Sequence, residues 1–126
     1  MPASRYRGVS ERGRVVLGGR TTIAVSGAMY HIVWEYEVRA DQLAAFEVLY
    51  GPTGAWTQLF RSADGYRGTE LYRDTARPTH FVTLDRWTSP AAFEAYLPTI
   101  RDAYDRLDEQ GAALTMRERR LGTFEG

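Results

Sequence analysis

Apolar and polar side chains alternate from Tyr30 to Val38: Tyr30, Ile32, Trp34, Tyr36 and Val38 fall on one face, His31, Val33, Glu35 and Glu37 on the other. Period two is the mark of a strand with one buried face. The pattern then turns helical. Leu43, Phe46 and Leu49 with Tyr50 recur at three- to four-residue spacing behind Asp41, placed to cap a helix that Gly51-Pro52 ends. A helical turn around Trp56, Leu59 and Phe60 closes at Asp64-Gly65. Residues 66–73 predict a second strand, residues 75–79 a turn containing Pro78, and residues 80–87 a third strand. In that strand His80, Val82, Leu84 and Arg86 alternate with Phe81, Thr83, Asp85 and Trp87. Ser89 at the cap and Pro90 at the first helical position start a helix through Phe93, Tyr96, Leu97, Ile100, Tyr104 and Leu107, with Pro98 expected to kink it. Beyond Gly111, Thr115 and Glu118 have capping-box spacing and predict a short turn, leaving residues 121–124 as a fourth strand.

Strand, helix, strand, strand, helix, strand is the ferredoxin-like split arrangement, an α+β fold with helices on one face of an antiparallel four-stranded sheet. The other face must meet water or a second layer. If Phe81 and Trp87 stand there with Thr83 and Asp85, two copies bury that surface sheet to sheet. The expectation is a homodimer, a dimeric α/β barrel enclosing a small cavity.

At 126 residues, 44% of them apolar and 13% aromatic, the chain suits one globular domain. Its apolar runs fall far short of the ~20 residues a membrane helix needs. Charge divides it further. Residues 1–28 hold five arginines against Glu11 alone, so they read as a basic arm, disordered or folded as a hairpin about Gly18-Gly19, ahead of a domain over residues 29–126. Met29 stands where a native start would fit. Sixteen arginines balance sixteen acids over the whole chain, which lacks the basic footprint of a nucleic-acid binder. Lys, Cys and Asn are absent, which excludes a Schiff-base lysine, a thiolate nucleophile and every disulfide. With no secretory leader pattern, a cytoplasmic location is expected.

The segments Tyr30-His31-Ile32-Val33-Trp34-Glu35-Tyr36, Tyr50-Gly51-Pro52, Gly65-Tyr66-Arg67-Gly68-Thr69-Glu70-Leu71, Thr83-Leu84-Asp85-Arg86-Trp87-Thr88-Ser89 and Arg119-Arg120-Leu121-Gly122-Thr123-Phe124 resemble the antibiotic biosynthesis monooxygenase (ABM) domain proteins of the dimeric α/β-barrel superfamily. The likeness covers about residues 29–126, and the strand-ending Trp before a Ser-capped helix is its most specific part. It implies a ferredoxin-like dimer with a pocket between sheet and helices and, in some members, cofactor-free oxygenation of aromatic polyketides such as anthrones. Other relatives degrade haem or isomerise small metabolites. Trp87 matches the pocket Trp of the family. The chain departs from it in having no Asn, and residues 90–108 hold no His where haem relatives place their axial ligand.

Such an oxygenase binds an electron-rich phenol or anthrone, removes one proton and excludes water while oxygen reacts, so no cofactor is implied. The proton acceptor is sought in His31 or Asp85, since His titrates near working pH and a dry pocket raises a carboxylate toward it. Trp87 and Tyr72 are candidate pocket walls, and Arg73 or Arg86 a donor to the developing oxyanion. Glu35 shares a face with His31 about 13–14 Å along the strand, so it must act with another strand. Structural roles stand beside these: His31 as a sheet or interface hydrogen-bonding group, His80 as a solvated strand end, Trp87 as core, and Asp85 as an ion pair with Arg73 or with an Arg of a second subunit. A metal held by His31, Glu35, Glu37 and His80 lacks closely spaced ligands, and no phosphate loop is present. The alternative functions are a non-catalytic dimeric small-molecule-binding or stress-response module, and an isomerase or decarboxylase on the same fold. An enzyme requires a base beside a cavity that admits its ligand, whereas a filled interior favours the binding module.

Overall fold

The strict alternation from Tyr30 to Val38 becomes strand β1 (Tyr30–Val38), its Tyr30, Ile32, Trp34, Tyr36 and Val38 all buried. The computed structural model describes residues 28–126. The arm and its hairpin therefore lie outside the described residues, except Ala28. After a 3-10 turn (Ala40–Gln42) come α1 (Leu43–Tyr50), α2 (Ala55–Phe60), β2 (Tyr66–Arg73) and β3 (His80–Trp87). Helix α3 (Pro90–Tyr96), a second 3-10 turn (Leu97–Ile100), α4 (Arg101–Leu114) and β4 (Thr115–Glu125) complete the order. The antiparallel sheet runs β2-β3-β1-β4, the ferredoxin-like topology, with the helices packed on one face.

An aromatic layer joins sheet to helices. Phe46 stacks on Tyr50 at 4.4 Å and meets Phe81 at 5.0 Å, while Trp56 meets Tyr104 edge-on at 5.2 Å. Phe81, Thr83, Asp85 and Trp87 all lie in this layer, each of them buried. The expectation that these four form the helix-free face is thus reversed: β3 pairs Trp87 with Tyr30, Asp85 with Ile32 and Phe81 with Tyr36, so they share the core face of β1. Two patterns of period two fix each strand's faces but not which face of β3 goes with which face of β1. The sheet instead presents Val33, Val82 and Leu84, partly buried, with exposed Tyr72 and Phe124 on its outer side.

Other boundaries differ for physical reasons. Asp41 sits inside the 3-10 turn and its side chain caps nothing, because the chain winds into α1 before a capping geometry forms. Ser89 caps α3 as expected, accepting from the Ala92 N–H at 3.0 Å. Pro98 does more than kink: it falls in the 3-10 turn that separates α3 from α4. Helix α4 then runs through Gly111 to Leu114, and Thr115 opens an eleven-residue β4 where a capped turn was expected. Gly111 marks a close approach. A Cβ there would lie 2.0 Å from the Tyr50 hydroxyl, whose ring is held by Phe46 and Tyr36.

Helix propensity alone makes Gly111→Ala stabilising by ~1 kcal/mol, whereas the clash in a filled core costs about 1–3 kcal/mol. A lower urea midpoint is the expected result. A rise would mean that Tyr50 has room to move.

Candidate active site

Asp85 and Trp87 are two residues apart on β3 and point together beneath the helices, each 0% exposed. A carboxylate so placed needs hydrogen-bond donors. One comes from β2, where a bulge changes the count: Tyr66 pairs with Trp87, Gly68 with Arg86 and Thr69 with Asp85, leaving Arg67 without a partner position. Gly68 adopts φ +114°, a conformation side-chain-bearing residues avoid. In a regular strand, residues three apart face opposite ways. The bulge instead brings Tyr66 and Thr69 onto the same, inner face.

Thr69 Oγ1 donates to Asp85 Oδ1 at 2.8 Å. The Tyr66 hydroxyl is hydrogen-bonded to Thr69 Oγ1 and lies 3.3 Å from Thr57 Oγ1, itself 3.3 Å from the Gly51 carbonyl oxygen. Trp87 stands in a cage of Phe60, Tyr66, Phe93 and Tyr96 with ring centroids at 5.2 to 6.4 Å. Its buried indole N–H finds no acceptor among the described residues. Beyond Tyr96, whose hydroxyl donates to the Leu59 carbonyl at 3.0 Å, a cleft of about 250 Å³ is lined by Ala63, Asp64, Gly65, Ala92, Ala95 and Tyr96.

The remaining candidates are elsewhere. His31 is on the outer face, its Nε2 3.2 Å from the Gly126 carbonyl oxygen, so it and Asp85 are separated by the sheet. Tyr72 is also outside, 54% exposed, and donates to Glu70 at 2.8 Å; it shares no wall with Trp87. Arg86 pairs with the same Glu70 at 3.2 Å. Arg73 donates to the Pro78 carbonyl at 2.8 Å and lies over the Phe81 ring at 5.6 Å, at the far end of β3 from Trp87. Asp85 therefore faces helices and Thr69, not a second subunit or Arg73.

Glu35 reaches both neighbouring strands, accepting from Arg119 at 2.7 Å and standing 3.3 Å from His80 Nε2. His80, expected to be solvated, is 8% exposed, with Asp74 Oδ2 3.5 Å from its Nδ1. No local pattern announces this, because Asp74 approaches through the turn, where its Oδ1 accepts from the Ala76 and Arg77 N–H groups. Arg119 chiefly, then His80, holds the Glu35 carboxyl below its ordinary 4.5.

A carboxyl lowered by folding adds stability above the unfolded value and loses it as pH falls through the folded one. Arg119→Ala is therefore expected to lower the urea midpoint at neutral pH, with the difference closing as pH drops below 4.5. A difference that ignores pH would remove the ion pair as its cause.

Among the described residues no group of three or more His, Asp or Glu is placed to hold a metal, and no helix is long and apolar enough to cross a membrane. The profile of the family described as antibiotic biosynthesis monooxygenase matches residues 29–101. Several solved structures are similar in fold. SnoaB, a cofactor-independent oxygenase from Streptomyces nogalater, has a TM-score of 0.64 at 19% identity, over 78% of this chain and 92% of that one. Rv0793 from Mycobacterium tuberculosis gives 0.58 at 19% identity, over 78% and 92%. A conserved protein from Methanosarcina mazei gives 0.56 at 12%, over 80% and 91%. No curated protein matches the chain in sequence.

Proposed function

The chain belongs to the antibiotic biosynthesis monooxygenase family, and on that premise we propose that it is a cofactor-independent monooxygenase of a small aromatic or quinone-like metabolite, with its reacting centre at Asp85 and Trp87. The observation that carries this reading is their pairing on one buried face: a carboxyl group beside an indole N–H that finds no acceptor among the described residues. Leaving a buried donor unpaired costs about 1–3 kcal/mol, and a substrate oxygen is the group that satisfies it. Asp85 takes a proton from an anthrone-like CH2, and the Trp87 N–H steadies the oxyanion that forms. Oxygen then accepts the substrate's electrons, giving a carbonyl and one water. The cleft beyond Tyr96 supplies the approach, with Tyr96 moving to admit the ring.

A dimer through the outer sheet face fits this reading, since Val33, Val82 and Leu84 gather there with Tyr72 and Phe124. Glu35, Arg73 and His31 then serve structure or the interface. A cytoplasmic location fits a metabolite enzyme.

The filled aromatic layer around Trp87 favours a second reading, a non-catalytic dimeric module that holds a small hydrophobic molecule. Oxygen consumption by the purified protein against anthrones and hydroquinones decides between them, run beside Asp85→Asn and His31→Ala. Uptake lost with Asp85→Asn and kept with His31→Ala supports the oxygenase. No uptake with any substrate supports the binding module, and loss only with His31→Ala moves the base to the outer face.

A further inference from the structure

The ring cage around Trp87 and the cleft of about 250 Å³ meet at one side chain. Phe60, Tyr66, Phe93 and Tyr96 enclose the indole, whereas the cleft is lined by Ala63, Asp64, Gly65, Ala92, Ala95 and Tyr96. Only Tyr96 belongs to both. Its hydroxyl is tied by one hydrogen bond, donated to the Leu59 carbonyl at 3.0 Å. We propose that this bond is a latch: it keeps the Tyr96 ring in the place an aromatic ligand takes against Trp87, so the protein closes its own site and a ligand binds only the unlatched form. The inference deepens the reading of Asp85 and Trp87 as the reacting centre and rests on it.

The latch joins two helices. Leu59 lies in the last turn of α2, where carbonyls outrun the helical donors. The Arg61 and Ala63 N–H groups go to the Thr57 and Phe60 carbonyls, and the Tyr96 hydroxyl reaches Leu59 from the end of α3. Both residues are half-buried, so water can serve each partner once the bond opens. The backbone need not follow the ring. The Tyr96 carbonyl accepts from Thr99 Oγ1 at 2.7 Å and the Leu97 N–H bonds to Phe93, which fixes the end of α3 without the side chain. Of the cleft's five other residues, Ala63, Gly65, Ala92 and Ala95 carry no atom beyond Cβ. A turn about the Tyr96 side-chain bonds therefore meets little bulk on that side, whereas Phe60, Tyr66 and Phe93 are buried in the core.

Competition of this kind fixes the sign of a mutation. A ligand that binds only the unlatched form has its apparent affinity lowered by the fraction unlatched, and its entry slows by the same factor. Removing the latch speeds entry and tightens binding together. A Tyr96 hydroxyl that instead bonded the ligand would give weaker binding when removed, and a gain in apolarity alone would slow release without speeding entry.

The test uses 1-naphthol, a bicyclic phenol, with the full-length chain carrying 5-fluorotryptophan and with oxygen removed, so that no turnover intervenes. The Trp87 fluorine line is the one missing from Trp87→Phe, and its shift and line shape on titration give affinity and exchange rates. Tyr96→Phe, which keeps the ring and deletes the hydroxyl, should tighten binding and raise the entry rate by about 2- to 10-fold each, the net worth of one neutral hydrogen bond. Ala95→Trp, at an exposed position on the cleft, should slow entry by filling it. Equal or weaker binding in Tyr96→Phe, or an entry rate that ignores both substitutions, would overturn the latch. A Trp87 line that naphthol moves in none of the proteins would overturn latch and site together. Oxygen uptake absent from a protein that binds naphthol at Trp87 with the expected changes would overturn the oxygenase reading alone and leave the latch standing.

Discussion

Trp87→Ala is expected to destabilise the protein by about 3–5 kcal/mol, the cost of deleting a fully buried large aromatic. Trp87 is enclosed by Phe60, Tyr66, Phe93 and Tyr96, so four rings from β2, α2 and α3 lose their common partner at once. Neighbouring rings can relax only partly into the space, because they also brace one another: Phe60 packs on Tyr66 at 5.6 Å and on Trp56 at 5.7 Å. The indole N–H has no acceptor among the described residues, so no hydrogen bond is lost with it and the cost is one of packing. Urea denaturation with an unchanged m-value is the measurement. A loss well below this range would mean that Trp87 lines an accessible cavity in solution. Trp87→Phe, which keeps a ring and removes the donor, should keep most of the stability while weakening substrate binding.

Asp85→Asn should leave the fold intact and lower kcat of the proposed oxygenase by about 10²- to 10⁴-fold, the range for removing a positioned general base. The amide has the carboxylate's shape, and its Oδ1 still accepts from Thr69, so the hydrogen bond at 2.8 Å persists. It cannot take a proton from substrate at working pH. The rate at saturating substrate reports this, with the denaturation midpoint as control. Activity retained by a folded Asp85→Asn would remove the carboxylate from the mechanism. His31→Ala should keep its rate, because the sheet separates His31 from Asp85.

Local regularity decided what could be read from the chain alone. β1 alternates without interruption, and its extent and buried face match the expectation over all of Tyr30–Val38. The family resemblance and the ferredoxin-like order likewise agree with the structure. β4 is different. It is an edge strand rich in Arg117, Glu118, Arg119 and Arg120, and it is interrupted where its register against β1 shifts, near Met116 and Leu121. Neither an apolar alternation nor a hydrophobic run announces it, and the capping-box spacing misled. The helix runs on through Gly111, and sequence carries no record of Tyr50 lying across it.

The candidate site was half legible for the same reason. Asp85 and Trp87 share a face by simple alternation. The hydroxyls that serve Asp85 depend on a bulge that only Gly68 hints at, and His80 meets Glu35 and Asp74 through strand pairing and a turn. Contacts of that kind come from register, which the pattern along one strand leaves open.

β1 lies between β3 and β4, and its first residues bond to the last of the described chain: Met29 and Gly126 exchange both backbone hydrogen bonds, at 3.1 and 3.2 Å. His31 and Gly126, also in contact, are 95 residues apart in sequence. Loop closure over such a span must be met before those bonds can form. During synthesis the β1 edge that β4 will occupy has no β4 to pair with until β4 itself is made. The refolding rate of this domain should accordingly follow its long-range strand pairing, slower than that of a helical bundle of equal length, and the open edge of β1 is the interval in which a chaperone has something to protect.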